Sequence, residues 1–361
     1  MVYPNYGEHP SRHEAATLKG IAKRLAALKS YGFGGLYDSS VGYSGNLYFV
    51  PAATITDCET ARRIGIDRED DLFGGVVPYP YMATKTIAHP LVDPQAFAPE
   101  GWSDAFAGRV KGATLFGFSA FTLNDARRAG AVVLDHGPAR VKPGNGVGGR
   151  GQAVVSNAHE LNKILTALGD ATISRHGVVI EQNLDHVTTF SIGQVRLSNL
   201  VATYYGKQSL TKDNHGLDVY GGSDLLVVRG DYDRLLKLAL QAEVSLAINQ
   251  ARAYDTAAQE IVGLIASRRN YDVAQGRDSH RHRCSGVLEQ SWRIGGASAA
   301  ELAALEAFQS NPALQTVRAT CVEAYGVHEP PRNAMLQFHE LDDCVGPITK
   351  YTLVDTHAAQ L

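Results

Sequence analysis

The sequence predicts a mixed fold, an α/β segment followed by a larger α+β body, and three observations predict it. Strand-like and helix-like runs alternate along the first half of the chain. A glycine-rich stretch, Gly144 to Gly151, runs into a strand rather than a helix. Two strand-like segments, Asn270 to Gly276 and Ser285 to Arg293, carry acids that a hairpin would bring face to face. With 361 residues, 44% of them apolar, the chain has material for two or three subdomains.

The elements follow in order. His13 to Lys29 repeats Leu18, Ile21, Leu25 and Leu28 at helical spacing and reads as an amphipathic helix. A strand at Leu47 to Val50 ends at Pro51, and a helix covers Asp57 to Arg63. Thr122, with Asp125 in the first turn, caps a helix that runs to Gly137-Pro138, and a strand carrying Lys142 follows. Beyond the glycines come a strand at Gln152 to Val155 and a helix, Ala158 to Leu168, announced by Ser156 and Asn157. Strands are predicted at Gly177 to Asn183, Thr188 to Leu197 and Leu200 to Tyr205. Helices are predicted at Asp231 to Tyr254, Ala257 to Ser267 and Ala297 to Ala307. The last part reads as a helix from Asn311 to Tyr325 and an irregular tail.

Composition excludes several function classes. Lys plus Arg number 34 against 37 Asp plus Glu, so no global field favours nucleic acid or an anionic membrane. Cys58, Cys284, Cys321 and Cys344 are far apart and lack the ligand spacing of a structural zinc. His280, His282 and Cys284 alternate in a basic turn and read as solvated. No signal-peptide pattern opens the chain and no apolar run reaches membrane-span length, so a soluble cytoplasmic protein is expected.

Gly144, Gly146 and Gly149 spell a literal G-x-G-x-x-G. A dinucleotide site needs those glycines between a strand and a helix, and here a strand follows. The stretch therefore reads as a flap whose backbone N–H groups converge on phosphate oxygens, with Lys142 and Arg150 adding charge. Glu181, at the end of an apolar strand, is placed to meet the amino group of adenine. In a hairpin with Asp272 opposite Glu289, Asn270 faces Ser291 and Asp278 faces Arg283. One face then carries Asp272, Glu289 and Ser291 with Arg293 beyond, a set suited to Mg²⁺. Plainer readings stay open: a surface hairpin with incidental bases, and a solvated acidic face ion-paired to Arg293.

Taken together, these segments resemble the ATP-grasp superfamily over about residues 80 to 300. The resemblance implies two α+β subdomains clamping ATP, preceded by an α/β pre-ATP-grasp domain. On that division residues 1–80 form the preceding domain and 81–175 the first subdomain with its flap. Residues 176–310 form the second, with the metal hairpin, and 311–361 a C-terminal helix and tail. Lys142 then corresponds to the strand lysine on the ATP phosphates and Lys85 to an earlier phosphate or adenine-side lysine. Gly146, Gly148, Gly149, Arg150 and Gly151 cover the phosphates, while Glu181, Asn183 and Leu184 form the adenine hinge. Asp272, Glu289 and Ser291 become the metal ligands. Arg293 matches the arginine of the family's Glu-x-Asn-x-Arg-x-Gly-Gly run, and acts with Lys142 and Arg150 in catalysis. Two departures stand out: Ser291 replaces the Asn of that run, and Thr188 or Thr189 replaces the ribose acid, leaving Asp185 as the nearest carboxylate. Over its whole length the chain also resembles an uncharacterised bacterial family of ATP-grasp-like proteins.

The implied activity is a Mg-ATP-dependent ligase that joins a carboxylate, through an acylphosphate, to an amine or thiol. A kinase of the same fold and a degenerate nucleotide-binding or regulatory protein remain as alternatives. Substrate contacts are expected at Lys207, Tyr220, Gly221, Gly222 and Ser223, where a Gly-Gly-Ser turn could hold a carboxylate; an ordinary turn between elements stays open as the plainer reading. Small molecules are the expected partners, without nucleic acid or membrane, and a homodimer is left open as the assembly. Lys142→Ala and Glu289→Ala are expected to abolish activity with the fold intact.

Overall fold

The computed structural model describes residues 1–6, 10–146 and 151–356. Strand β1 (Val2–Tyr3) leads to α1 (Arg12–Leu28), whose stripe of Leu18, Ile21, Leu25 and Leu28 is buried as its period predicts. Ser11 and Glu14 close a capping box at its start, each side chain accepting from the other's backbone N–H. The first strands are shorter than expected: β2 (Val50–Pro51) pairs in parallel with β1, and Phe49 adds only a bridge to Leu72. Next come α2 (Cys58–Arg63), capped by Asp57, then β3 (Gly75–Val76) and α3 (Asp104–Val110).

A small sheet follows. Its strands are β4 (Gly117–Ala120), β5 (Ala139–Pro143), β6 (Ala153–Val155) and β7 (Val178–Gln182), in the order β4-β7-β5-β6. Between them run α4 (Leu123–Leu134), capped by Thr122, α5 (Ala158–Leu168), capped by Asn157, and α6 (Asp170–His176). Ala126, Val133, Leu161 and Leu165 pack on Val141 and Ile180 to give this layer its own core. Ala139 pairs with Val155 in antiparallel sense, so the glycine stretch joins two strands as predicted.

The rest of the chain builds one large sheet. Its early strands are β8 (Asp185–Leu197), β9 (Leu200–Lys212) and β10 (Asp218–Arg229). Helices α7 (Tyr232–Leu236) and α8 (Ala242–Ala257) precede β11 (Ile265–Ala266), which pairs with β3. The hairpin β12 (Arg268–Arg277) and β13 (Arg283–Ser291), then α9 (Ser298–Ser310), lead to β14 (Thr316–Tyr325), β15 (Met335–Asp342) and β16 (Gly346–Asp355). Eight strands lie in the order β13-β12-β8-β9-β10-β14-β16-β15. One face, with Ile192, Tyr271 and Val273, packs on Ala247, Ile248 and Tyr254 of α8. The other, with Val195, Tyr204 and Leu225, packs on Leu25 of α1 and on Leu302 and Leu305 of α9.

Several predicted elements are corrected. The helix expected over Asp231 to Tyr254 is broken between α7 and α8. Leu236, Leu238 and Leu240 all pack on the same core, which residues two apart on a continuous helix cannot do. The helix expected over Ala257 to Ser267 shrinks to a π turn, Ala258–Val262, stopped by Gly263 at φ +69°. The expected helix from Asn311 to Tyr325 is the strand β14, where Val317, Ala319 and Cys321 are buried at a period of two. The tail taken as irregular forms β15 and β16.

Candidate active site

In the small sheet, β5 and β7 are neighbours, with Lys142 opposite Val179 and Glu181 opposite Arg140. That register makes Lys142 and Glu181 diagonal partners on one face. The Lys142 ammonium is ion-paired to Glu181 Oε1, and His89 Nε2 lies 3.2 Å from Oε2. All three are buried, at 2%, 1% and 1% exposure, so no charge here is left to water. Burial by itself raises the Glu181 pKa, but the Lys142 charge and the His89 contact overcome it and hold the carboxyl down to about 2. Gly117 is required beside this pair, because a Cβ there would stand 2.6 Å from the Glu181 Cβ. Next along the hinge, Asn183 Oδ1 accepts from Arg140 at 2.8 Å, and Leu184 is buried.

On the large sheet, Asp272 faces Glu289 and Asn270 faces Ser291, the register expected from the sequence. A bulge then shifts the ladder, so Arg277 rather than Asp278 faces Arg283. Asp272 Oδ1 accepts from Gln208 Nε2 of β9 at 2.8 Å. Lys85 Nζ reaches Glu289 Oε2 at 3.0 Å and donates to the Gly146 carbonyl at 2.6 Å, tying the root of the glycine loop to the hairpin. Burial, then the neighbouring Glu289 charge, push the Asp272 pKa up to about 7 against the pull of Gln208, Arg268 and Arg293.

Two facing carboxylates, one of them disfavoured as an anion, suit a divalent cation whose charge relieves that conflict. Among the described residues no group of three or more His, Cys, Asp or Glu gathers as a metal cage. The pair suits Mg²⁺, which takes one or two carboxylates and fills its shell with phosphate and water.

Beyond the acids, Arg268 Nη1 donates to both oxygens of Ser291, at 3.0 Å to the carbonyl and 3.1 Å to the hydroxyl, and to the Arg293 carbonyl at 2.6 Å. The same guanidinium is paired with Glu301 at 2.8 Å, and Glu301 also accepts from the Tyr204 hydroxyl. Asn270 Nδ2 donates to Ser191 Oγ at 2.7 Å and to Tyr204 at 3.2 Å. Arg293 makes no ion pair within 4.0 Å among the described residues, and burial, then Arg268, lower its pKa. It lines a cleft of about 500 Å³ together with Lys85, Gly146, Glu289 and, from the N-terminal segment, Tyr6 and Thr54. A second cavity, about 590 Å³, lies within the N-terminal segment and touches none of the predicted site residues.

Of the loop residues, Gly146 lies at the cleft and Gly151 has φ +74°, whereas Gly148, Gly149 and Arg150 lie outside the described residues. The turns expected around residues 205–208 and 219–224 are instead the interiors of β9 and β10. Lys207 is exposed on the face opposite Gln208, because neighbours on a strand alternate, and so lies away from Asp272. The Tyr220 hydroxyl is 2.7 Å from Ser223 Oγ, and Gly222 sits after a bulge at φ +144° with no room for a Cβ beside the Cys321 carbonyl. Gly221 is likewise packed on Thr211, so this segment is built strand rather than an open turn. His89, Gln208 and Arg268 escaped the sequence reading, because each acts through a partner dozens of residues away.

Among solved structures the chain is similar to a biotin carboxylase of Campylobacter jejuni, with TM-score 0.54 and 10% identity over 98% of this chain and 87% of that one. It is similar to a carboxyaminoimidazole ribonucleotide synthase of Aspergillus clavatus complexed with ATP, with TM-score 0.51 and 12% identity over 98% and 93%. A phosphoribosylamine–glycine ligase of Thermotoga maritima matches with TM-score 0.50 and 12% identity over 98% and 92%. These likenesses are of fold, and they give this chain the ATP-grasp fold over nearly its whole length. By sequence, no curated protein matches it. The family model described as Protein of unknown function (DUF3182) matches residues 2–352, and the protein belongs to that family.

Proposed function

We propose that the protein is a Mg-ATP-dependent ligase that activates a small-molecule carboxylate and joins it to an amine or thiol. The observation that carries this reading is Lys85, which links the root of the glycine loop to Glu289 of the facing carboxylate pair, at a cleft also lined by Arg293. Such a site brings cations, a flap and a cation-binding acid pair to one place, as phosphoryl transfer requires.

On this reading Glu181, Asn183 and Leu184 form the adenine end. Lys142, Lys85, Gly146 and Gly151, with Gly148, Gly149 and Arg150, enclose the phosphates. Asp272 and Glu289 would hold Mg²⁺, which would neutralise phosphate charge there. The substrate carboxylate oxygen attacks the γ-phosphorus, the bond to the β,γ-bridging oxygen breaks, and ADP leaves. The amine or thiol then adds to the acyl carbon and phosphate leaves, the nucleophile's proton passing to solvent. Arg293 stands at the cleft with Nη1 donating to the Ile294 carbonyl, and its other donors would grip the transferred phosphoryl group. Gln208 and Lys85 orient Asp272 and Glu289 through the contacts described. Among the described residues no helix is long and apolar enough to cross a membrane.

The test is ADP release with Mg-ATP against libraries of carboxylates paired with amines or thiols. Release that needs both partners supports the ligase. Release with a single hydroxyl-bearing acceptor marks a kinase, and nucleotide binding without release in any mixture marks a binding protein.

A further inference from the structure

The ATP-grasp resemblance implies two divalent cations, with an Asn oxygen at the place of Ser291 serving the second. The residues in this structure fit the first cation and do not fit the second. The Ser291 hydroxyl accepts from Arg268 Nη1 at 3.1 Å and the Ser291 carbonyl accepts from the same nitrogen at 3.0 Å. Arg268 cannot swing away: it is 1% exposed, its Nε and Nη2 are bonded to Glu301, and Glu301 is fully buried with Tyr204 donating to it. Nη1 is further anchored on the Arg293 carbonyl at 2.6 Å. A Mg²⁺ ligand bond is about 2.1 Å long, so a cation on the Ser291 hydroxyl would stand within about 5 Å of a fixed guanidinium.

We propose that the protein uses a single divalent cation, on Asp272 and Glu289, and that Arg268, locked by Glu301 onto Ser291, closes the second cation position. This rests on the ATP reading above. The serine and the buried arginine then act together at this position. Changing residue 291 alone does not reopen the position, because the guanidinium stays.

The experiment counts bound Mn²⁺ by the loss of its free paramagnetic signal, in the intact protein saturated with a non-hydrolysable ATP analogue. One Mn²⁺ per chain is expected in the wild type, and still one in Ser291→Asn. A combined Ser291→Asn, Arg268→Gln, Glu301→Gln variant, which removes both buried charges together, is expected to bind two. Two Mn²⁺ in the wild type would overturn the proposal and leave the ATP reading standing. No bound analogue or Mn²⁺ would overturn both. A second Mn²⁺ in Ser291→Asn alone would show that the serine closes the position and Arg268 does not. Should the triple variant fail to fold, the wild-type and Ser291→Asn counts decide the matter.

Discussion

Two carboxylates on neighbouring sheets meet opposite fates. Glu181 is sealed between Lys142 and His89, and its pKa falls to about 2. Asp272 faces Glu289, and its pKa rises to about 7. Burial pushes both upward; the sign of the nearest charge decides the outcome. The first cluster is electrically complete without a ligand, and the second gains from a cation. The Lys142–Glu181 pair balances its own charges until a nucleotide competes for them, whereas the like charges of Asp272 and Glu289 lack a counter-ion.

The largest expected effect comes from breaking the complete cluster. Lys142→Ala strands Glu181 in the interior, and loss of one partner of a buried ion pair costs about 3–5 kcal/mol. Urea unfolding should show that loss, so this variant will not leave the fold untouched as the sequence alone suggested. Glu289→Ala removes one partner of the buried Lys85, which keeps the Gly146 carbonyl, and relieves the charge conflict with Asp272, so it should lower the urea midpoint by less than Lys142→Ala while Mn²⁺ binding is lost. Equal destabilisation by the two variants would erase the contrast.

Asp272→Asn sharpens the comparison from the other side. A carboxyl whose folded pKa is raised costs stability once pH exceeds its unfolded pKa, and the full cost is present above the folded value of about 7. The variant should therefore be more stable than the wild type at pH 8, by about 1–2 kcal/mol, with the gain vanishing near pH 4. Stability curves at the two pH values check this, and a loss at pH 8 would contradict it.

Glu181 predicts the reverse slope. Its folded pKa is depressed, so its contribution is present above the unfolded value near 4.5 and is lost as pH falls toward about 2. Glu181→Gln should flatten that acid limb in a urea series. The smallest effect belongs to Lys207→Ala, expected within about 0.5 kcal/mol of wild type because the side chain is exposed. A large loss of analogue binding in that variant would return Lys207 to the site.

Much of this contrast was legible in the sequence, for reasons that follow from local chemistry. Asn157 and Thr122 cap the helices they announce, because a cap is a contact within four residues. Asp272 faces Glu289 because an antiparallel hairpin with a short turn fixes its register. The bulge beyond Asp272 was not legible, since nothing in Val287-Leu288-Glu289 marks the extra residue. Helix propensity misled over residues 311–325, where the neighbouring strands β10 and β16 claim the segment for the sheet. Lys142 and Glu181 were seen as separate ligands, and their mutual pairing came from the adjacency of β5 and β7. Arg268 reads as one of two arginines before a strand, and its hold on Ser291 depends on α9 delivering Glu301.

On the proposed function, the Asp272–Glu289 pair is expected to bind a divalent cation together with ATP. Titration calorimetry of a non-hydrolysable ATP analogue, with Mg²⁺ and with chelator, into wild type and Glu289→Gln tests it most directly. Mg²⁺ is expected to tighten binding at least about tenfold in the wild type and by much less in Glu289→Gln. Equal tightening in both proteins, or no binding in either, would contradict it.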